Sequence, residues 1–421
     1  MVRGGSPARS QVAVVVALAA TLTIGLAFEA LSSAEEEQPI LELGYAGSGP
    51  AGREFARVAA NRTVQRALLD VAAAPRSPEY LDAALKGTGV TPDQLQSPQL
   101  IRLNGGRYEL SFSLLTLEDR QKIQAVAERE GARLAAGILE HRPRIEALLK
   151  TSSMPSTDWR AMAFFVLGCV SLDWDGLNWI SEKGYWTDPG KGGYVPTATQ
   201  PLPREARRQL YWGSHNYTDR AAVTTFGDHY SVPRMGLPDV FSRATLDAPE
   251  PIKSSLARAA VGMVRRQAAA LMLALRDGPK NADELVSATN SRPADVKDTL
   301  DLLLALEYVT ESKGAYTAVI PVLTERDRPM VRELRLLGRE AIARWFEERY
   351  EPLRSALADL TPQRYGVPLS SSFYWVWHPL FGVANRELVA AGLFADPYDA
   401  KRTFQGFIPA VYQLDVVSGP F

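Results

Sequence analysis

The chain has 421 residues, more than one hydrophobic core usually organises, so its length predicts two or more domains. Its apolar fraction of 46% and charged fraction of 23% are those of a soluble globular protein. Lysine and arginine number 47 and aspartate and glutamate 48, so the chain lacks the basic surplus typical of proteins that bind nucleic acid. The single cysteine, Cys169, excludes an intramolecular disulfide and a cysteine-based zinc site, and its apolar neighbours predict a buried side chain.

The N-terminus has the pattern of an export signal. Arg3 and Arg9 precede an uncharged apolar stretch at 12–28, which is followed by small residues and an acidic run that begins at Glu35. We therefore expect residues 1–34 to be a cleaved signal peptide or an uncleaved single membrane anchor. Both interpretations place the rest of the chain outside the cytoplasm, periplasmic or secreted, with membrane contact only through an uncleaved anchor. A wrongly assigned start and a buried N-terminal helix are the alternatives.

An internal repeat is the strongest pattern in the sequence. Matching residues recur at a constant separation of 208 positions, the repeat separation: Tyr108 with Tyr316, Asp119 with Asp327, Gly184 with Gly392 and Pro189 with Pro397. The separation falls to 178 for Thr225 and Thr403, which predicts an inserted loop in the first copy at about 190–224. The expected domains are a lead-in linker at 35–62, a first repeat at 63–250 and a second repeat at 251–421.

Each copy shows the same predicted order of elements. In the second copy, helices are expected at 254–276, 281–289 and 291–305, followed by a hairpin at 308–310 and 316–320. The first copy repeats this order at 64–73, 78–86 and 92–95, with a hairpin at 100–103 and 107–112. Long helices are expected next, at 117–150 and 325–360, and an aromatic-rich cap ends each copy at 174–186 or 382–394. A Thr-x-x-Asp pattern starts each long helix and is explained by helix capping.

The second copy resembles a winged helix-turn-helix module of the ArsR or MarR type. The resemblance lies in Ala282-Asp-Glu-Leu, in Leu302-Leu-Leu-Ala-Leu-Glu-Tyr-Val-Thr and in Gly314-Ala-Tyr. It implies a mainly α fold with small β-hairpins (α+β), in which two tandem winged-helix-like units are each followed by a long helix and an aromatic-rich cap. In that family such long helices often build the dimer interface. We therefore expect the two copies to pair with each other within one chain.

Catalytic motifs are scarce. Gly47, Gly49 and Gly52 fit the GxGxxG pattern, but a dinucleotide site needs a βαβ unit that the following sequence does not predict. Walker A, GxSxG, HExxH and CxxC patterns do not occur in the sequence. We expect no cofactor and no metal, and the chain is more readily understood as a binding protein than as an enzyme.

The segment in and after the predicted insertion is the best candidate for a ligand site, because aromatic faces beside carboxylates suit sugars, peptides or cations. The candidate residues are Tyr211, Trp212, His215, Asn216, Tyr217, Asp219, Asp228, His229 and Tyr230. In the structural alternative, the aromatic side chains anchor a long loop and the Asp and His side chains cap its turns. Asp173, Asp175 and Glu182 form a second set of carboxylates, which could serve glycoside cleavage.

The third helix of each copy argues against a DNA repressor. In the second copy Arg292 and Lys297 stand among three aspartates, and in the first copy residues 91–99 contain no lysine or arginine. The leading hypothesis is an exported, non-enzymatic binding or scaffold protein, whose partner is an unidentified protein or small ligand. A winged-helix transcriptional regulator is the first alternative, with nucleic acid disfavoured as a partner. An exported hydrolase that uses His215, Asp228 and His229 is the second.

Overall fold

The computed structural model describes residues 40–47, 50–154, 158–187, 194–218, 220–228, 266–399 and 406–417. Helices make up 58% of the structure and strands 15%, arranged as several small sheets. This is the mixed class of helices and small sheets that the sequence predicts. Within the described ranges, no helix combines the length and the apolar character needed to cross a membrane. The predicted signal or anchor at 1–34 lies outside the described residues.

The first part of the chain forms one strand, a series of short helices and a hairpin. The bounds are β1 Glu42–Gly47, α1 Pro50–Ala59, α2 Arg62–Ala73, α3 Pro78–Ala84, α4 Pro92–Gln96, β2 Ile101–Asn104 and β3 Arg107–Leu110. The side chains of Asn61, Ser77 and Thr91 cap α2, α3 and α4 by accepting backbone hydrogen bonds, which fixes where each helix starts. The stretch 40–62, predicted as a lead-in linker, therefore contains β1 and α1.

Helices dominate the next part. The bounds are β4 Ser113–Leu115, α5 Leu117–Leu139, α6 Arg142–Leu149, α7 Trp159–Ala163, a π-helix Phe164–Asp175, α8 Gly176–Glu182 and β5 Tyr194–Thr199. The prediction of one continuous helix at 117–150 is wrong, because the stretch forms two helices: α5 ends at Leu139 and α6 starts at Arg142. Pro143 lies in the first turn of α6, where its missing N–H costs nothing, whereas inside a helix it would break the hydrogen-bond ladder.

The second half of the chain repeats the order of helices and hairpin. The bounds are β6 Tyr211–Tyr217, β7 Ala221–Asp228, α9 at 266–275, β8 Lys280–Asn281, α10 Ala282–Thr289, α11 Pro293–Ala305, β9 Val309–Ser312, β10 Ala315–Ala318, β11 Val322–Leu323, α12 Arg328–Ala356, α13 Thr361–Arg364, α14 Phe373–Ala390, β12 Phe407–Gln413 and α15 Leu414–Val417. The predicted inserted loop at 190–224 therefore contains β5, β6 and the first residues of β7.

Two of the sheets share a three-strand pattern. Their strand orders are β1-β5-β4 and β11-β12-β7-β6. β5 pairs antiparallel with β1 and parallel with β4, just as β12 pairs antiparallel with β7 and parallel with β11. Since Leu115 of β4 and Leu323 of β11 are related by the repeat separation, β5 is the counterpart of β12 and β1 the counterpart of β7. In this register β5 groups with β1 and β4, and β12 groups with β7 and β11. β6 has no counterpart among the described residues of the first sheet.

The chain forms two compact units, and each is assembled from three separate stretches. Unit one is Met1–Glu130, Leu177–Arg208 and Trp345–Leu380, and unit two is Gly131–Gly176, Gln209–Arg344 and Phe381–Phe421. Each unit thus combines the helices and hairpin of one copy with a helical stretch of the other copy. The stretches 131–176 and 345–380 overlap when they are aligned by the repeat separation, so the copies exchange equivalent helical segments.

Each unit has its own apolar core. In unit one, Phe55, Leu68 and Leu95 are buried with the hairpin residue Tyr108. In unit two, the buried side chains come from α9, α10 and α11 and from the sheet strands β7, β11 and β12. Burying one such Leu or Phe side chain contributes roughly 1.5–3 kcal/mol to stability.

Candidate functional site

Three of the predicted site residues lie at one end of the β6–β7 ladder, and two of them are core residues. Tyr211 lies directly opposite Asp228, and both side chains are buried. The Asp228 carboxylate accepts a hydrogen bond of 2.7 Å from the Tyr398 hydroxyl. Tyr211 packs edge-on against Phe164 at 6.0 Å between ring centroids, and burial, followed by nearby carboxylates, raises the pKa of its hydroxyl. Trp212 lies beside them, with its ring 6.2 Å from that of Phe381.

The rest of the predicted site is only partly described. His215, Asn216 and Tyr217 belong to β6, while Asp219, His229 and Tyr230 lie outside the described residues.

The strand register separates His215 from Asp228. His215 lies opposite Thr224, four residues before Asp228 on β7. At 3.3 Å per residue this places their backbones about 13 Å apart along the ladder, too far for both to bind one metal ion. Within the described residues, no group of three His, Cys, Asp or Glu side chains lies close enough to hold a metal. The geometry therefore does not favour the hydrolase hypothesis at this place.

A buried asparagine that sequence reasoning missed holds this end of β6. Asn385 is fully buried in α14, and its amide donates 2.8 Å to the Tyr211 carbonyl and 3.4 Å to the Gly168 carbonyl. Gly168 is required here, because a Cβ at this position would lie 2.8 Å from the Asn385 side-chain oxygen. The sequence feature that could have indicated Asn385 is a single asparagine within an apolar helical stretch. An amide that is buried in such a stretch has hydrogen-bond partners, so its position indicates a structural contact.

The π-helix contains two of the three other candidate carboxylates, Asp173 and Asp175. It runs for 12 residues, and helices of this type are rare and often mark functional places. Asp175 forms a buried two-point ion pair with Arg335, with oxygen-to-nitrogen distances of 2.6 and 2.8 Å. Glu182 is exposed at the end of α8. Asp175 therefore has a structural partner, and with 3% of its side chain exposed it offers a substrate little access.

Two further π-helix residues are buried in their neutral forms. Burial raises the pKa of Asp173 to about 8, so this carboxyl keeps its proton at neutral pH. Burial, and then the Asp173 charge, raises the pKa of the Cys169 thiol, which lies 4.0 Å from the Thr224 hydroxyl. The prediction that the Cys169 side chain is buried is confirmed. Its low reactivity stays a prediction.

Asp173→Asn is expected to stabilise the protein at alkaline pH. The folded state holds the Asp173 proton up to about pH 8, whereas an unfolded chain releases it near pH 4, so stability falls as pH rises through this window. The neutral amide removes that loss, by about 1 kcal/mol or more at pH 9, and changes little at pH 4. Thermal unfolding at pH 4, 7 and 9 measures this, with Asp301→Asn on the exposed surface as control. An equal shift at all three pH values would contradict the assignment.

The Thr-x-x-Asp pattern does more than cap its own helix. In unit one, an Asp119 oxygen accepts 2.8 Å from the Thr116 backbone N–H, which is the predicted cap. The other oxygen accepts 2.9 Å from the buried backbone N–H of Thr361, in the other copy. The carboxylate of one copy therefore fixes the start of a helix in the other.

The equivalent contact recurs in unit two. One Asp327 oxygen accepts 3.1 Å from the Thr324 backbone N–H, and the other accepts 3.2 Å from the backbone N–H of Ser153. The repeat separation relates Ser153 to Thr361, just as it relates Asp119 to Asp327. In each copy, the aspartate therefore accepts a backbone hydrogen bond from the equivalent turn of the other copy.

Asp327 has further partners, among them the Ser153 hydroxyl at 2.8 Å and the Arg276 guanidinium. Arg276 donates 3.2 Å to its carboxylate, and neither side chain is more than 4% exposed. Burial raises the pKa of Asp327, but the hydrogen bonds from Thr324, Ser153 and Arg276 together outweigh burial and leave the pKa below its usual value. The ionised form is therefore the one that holds this turn.

A second backbone contact follows the same reciprocal rule. In unit one, Thr187 N–H donates 3.1 Å to the Ser370 carbonyl, and in unit two, Ala395 N–H donates 3.1 Å to the Arg160 carbonyl. The repeat separation relates Thr187 to Ala395, and it brings Arg160 into near-alignment with Ser370. The end of each aromatic-rich cap is thus attached to a helix start of the other copy.

The exposed cations of the third helix in the second copy have acidic partners on the same helix. Arg292 donates 2.7 Å to Asp295, and Lys297 donates 2.6 Å to Asp301. The corresponding helix of the first copy, α4, carries no basic residue. Both surfaces therefore offer little net positive charge for phosphates.

Comparisons with protein-family models, with curated proteins and with solved structures give no match for this chain. The chain's own geometry has to carry any functional conclusion.

Proposed function

We propose that the chain is an exported, non-enzymatic binding or scaffold protein, built from two winged-helix modules that exchange their helical segments. The order of helices and hairpin in α2 to β3 and in α10 to β10 supports the winged-helix part. The observation that carries the proposal is the reciprocal pair of contacts from Asp119 to Thr361 and from Asp327 to Ser153. Each contact links the two copies within one unit, which suits a scaffold with two similar binding surfaces.

The polar groups that suggested chemistry support a binding role over a catalytic one. Asp228 accepts from Tyr398, Asp175 pairs with Arg335, and Asp119 and Asp327 hold turns. Each of these carboxylates has a structural task in its own unit. A DNA regulator would place α4 and α11 in the major groove. The cations at α11 pair with aspartates and α4 has no basic residue, which favours a protein partner over nucleic acid.

Expression with the native N-terminus in a bacterial host tests this proposal. We expect the protein outside the cytoplasm, with an intact mass that lacks residues 1–34 or with full length in the membrane fraction. A matched control replaces Arg3 and Arg9 and is expected to stay in the cytoplasm. Full-length soluble protein in the cytoplasm would contradict the proposed location.

The purified protein separates the scaffold from the DNA regulator. A labelled random DNA duplex at about 50 mM salt, where phosphate contacts are strongest, is expected to stay unbound. Salt-dependent micromolar binding that Arg292→Ala and Lys297→Ala weaken would overturn the non-DNA role.

A further inference from the structure

We propose that the outer edge of β1 is a docking site for an extended peptide strand of a partner protein, which binds antiparallel to β1 with main-chain hydrogen bonds. The inference uses an edge that belongs to neither the helices nor the hairpins of the modules, and it rests on the proposed export, because cleavage after Ala34 removes most of the chain that precedes β1. It rests on the equivalence of two sheets, one of which shows how the position is filled.

The equivalence of β1 and β7 is fixed residue by residue. Tyr45 lies opposite Pro196 of β5, and Thr225 lies opposite Pro409 of β12. Two residues further along, Gly47 and Gly227 occupy the same position of the two strands. The two ladders therefore have the same register.

The prolines determine which backbone groups face outwards. Proline has no N–H to give to a neighbouring strand, so the pairs at Tyr45 and Thr225 are the non-hydrogen-bonded kind. The N–H and C=O groups of Tyr45, and of its alternate neighbours Leu43 and Gly47, therefore point to the outer edge of β1. In the second sheet the same groups of β7 face β6, where Thr225 lies opposite Ser214.

Among the described residues, no strand lies beside the outer edge of β1, whereas the equivalent edge of β7 is covered. β1 is the edge strand of its sheet among the described residues, whereas β7 has the seven-residue strand β6 beside it. Unpaired strand edges invite pairing unless lysine, proline or a bulge protects them, and β1 contains neither lysine nor proline. Its one charged residue, Glu42, pairs with Arg120 at 3.2 Å.

The expected occupant is an uncharged, aromatic-rich strand, as β6 is. β6 reads Tyr-Trp-Gly-Ser-His-Asn-Tyr, and β7 follows it after a short turn. The chain that precedes β1 in an exported protein cut after Ala34 is only Glu-Glu-Glu-Gln-Pro up to residue 39. That sequence is short, acidic and ends in proline, so a strand from another protein suits the position better.

A synthetic peptide with the sequence of residues 209–218 is the probe. We expect saturable binding to the exported protein, measured by fluorescence anisotropy of a labelled peptide. Tyr45→Pro removes an outward N–H and is expected to weaken binding about tenfold or more. Tyr45→Val keeps the backbone group and is the matched control, with binding within about twofold of the original protein.

Methylated peptides test the predicted direction of the hydrogen bonds. In the second sheet, Trp212, Ser214 and Asn216 face β7 at the positions of the outward groups. N-methylation at those three positions is expected to abolish binding. N-methylation at Gly213, His215 and Tyr217 is expected to leave it unchanged. Equal effects of the two methylation patterns, or no saturable binding, would overturn the proposal.

Two measurements on the free protein identify other occupants. Rapid hydrogen exchange at the amides of Leu43 and Tyr45 is expected, and protection in the free monomer would show that the chain itself covers the edge. A dimer that Tyr45→Pro dissociates would show that a second copy covers it. Either result would overturn the proposal, and both are measured on the purified protein, separately from the export and DNA-binding tests.

Discussion

Residues 35–208 and residues 209–421, produced separately, are each expected to be unfolded, and an equimolar mixture is expected to regain a cooperative structure. The first fragment lacks Phe346, Phe373 and Trp377, which are buried in unit one. Phe346 packs against Trp179 and Tyr185 of the first copy, with ring centroids 4.8 and 4.9 Å apart. Losing one such aromatic side chain costs about 3–5 kcal/mol, and the total stability of a domain is only about 5–15 kcal/mol.

Circular dichroism melts of the fragments, alone and mixed, measure this effect, and sedimentation reports whether they associate. The intact chain nicked between Arg208 and Gln209 is the matched control, because both residues are exposed there. A cooperative melt for residues 35–208 alone would contradict the exchange, and so would fragments that stay apart when mixed. Independent folding of each copy would then be the better description.

Asp327→Ala is expected to lower the free energy of unfolding by about 3–5 kcal/mol, because it removes the buried counter-charge of Arg276 at 3.2 Å and leaves only the half-exposed Asp277 at 3.9 Å. It also removes the acceptor of the Ser153 backbone N–H. Urea unfolding of the full chain measures the change. Asp295→Ala is the matched control, because the Asp295–Arg292 pair is exposed and its loss is expected to leave the urea midpoint almost unchanged.

The pH dependence of the same variant has a defined sign. The pKa of Asp327 lies below its usual value in the folded chain, so its contribution is present above about pH 4 and is lost as pH falls through the folded pKa. Asp327→Ala should therefore differ most from the original protein at neutral pH and least in acid. The double variant Asp327→Leu with Arg276→Met should lose less stability than Asp327→Ala, and an equal or larger loss would show that the ion pair is not the cause.

Local patterns could be predicted from the sequence because their causes lie within a few residues. Asn281 accepts from the Glu284 backbone N–H as an N-cap should, and the hairpin at β2 and β3 falls where alternation places it. The repeat separation that relates Asp119 to Asp327 also relates β4 to β11, and each of these strands pairs in parallel with one neighbour, β5 or β12.

The partners of these residues could not be predicted. A capping pattern involves residues three apart, and nothing in it indicates that Asp119 also binds a residue 242 positions away. The π-helix has no local signal, because a uniformly apolar stretch fits several helix types. The sequence match of Thr225 to Thr403 aligned β7 with residues just before β12, whereas strand pairing aligns β7 with β1, and a sequence match alone does not distinguish these alignments. The predicted ligand site grouped residues by composition, whereas the register puts Tyr211 and Asp228 in the core and His215 well away from them.

The exchange of helical segments has a consequence for how the chain reaches its folded state. In unit one the Tyr365 hydroxyl donates to the Val71 carbonyl, across 294 residues of chain. The first copy therefore cannot complete its core while the ribosome is still making the second, and an early native domain cannot form during synthesis. Contacts of such long sequence separation slow folding and leave apolar surface uncovered meanwhile. This topology therefore suits folding after synthesis is complete, with holding chaperones covering the apolar surface in the meantime.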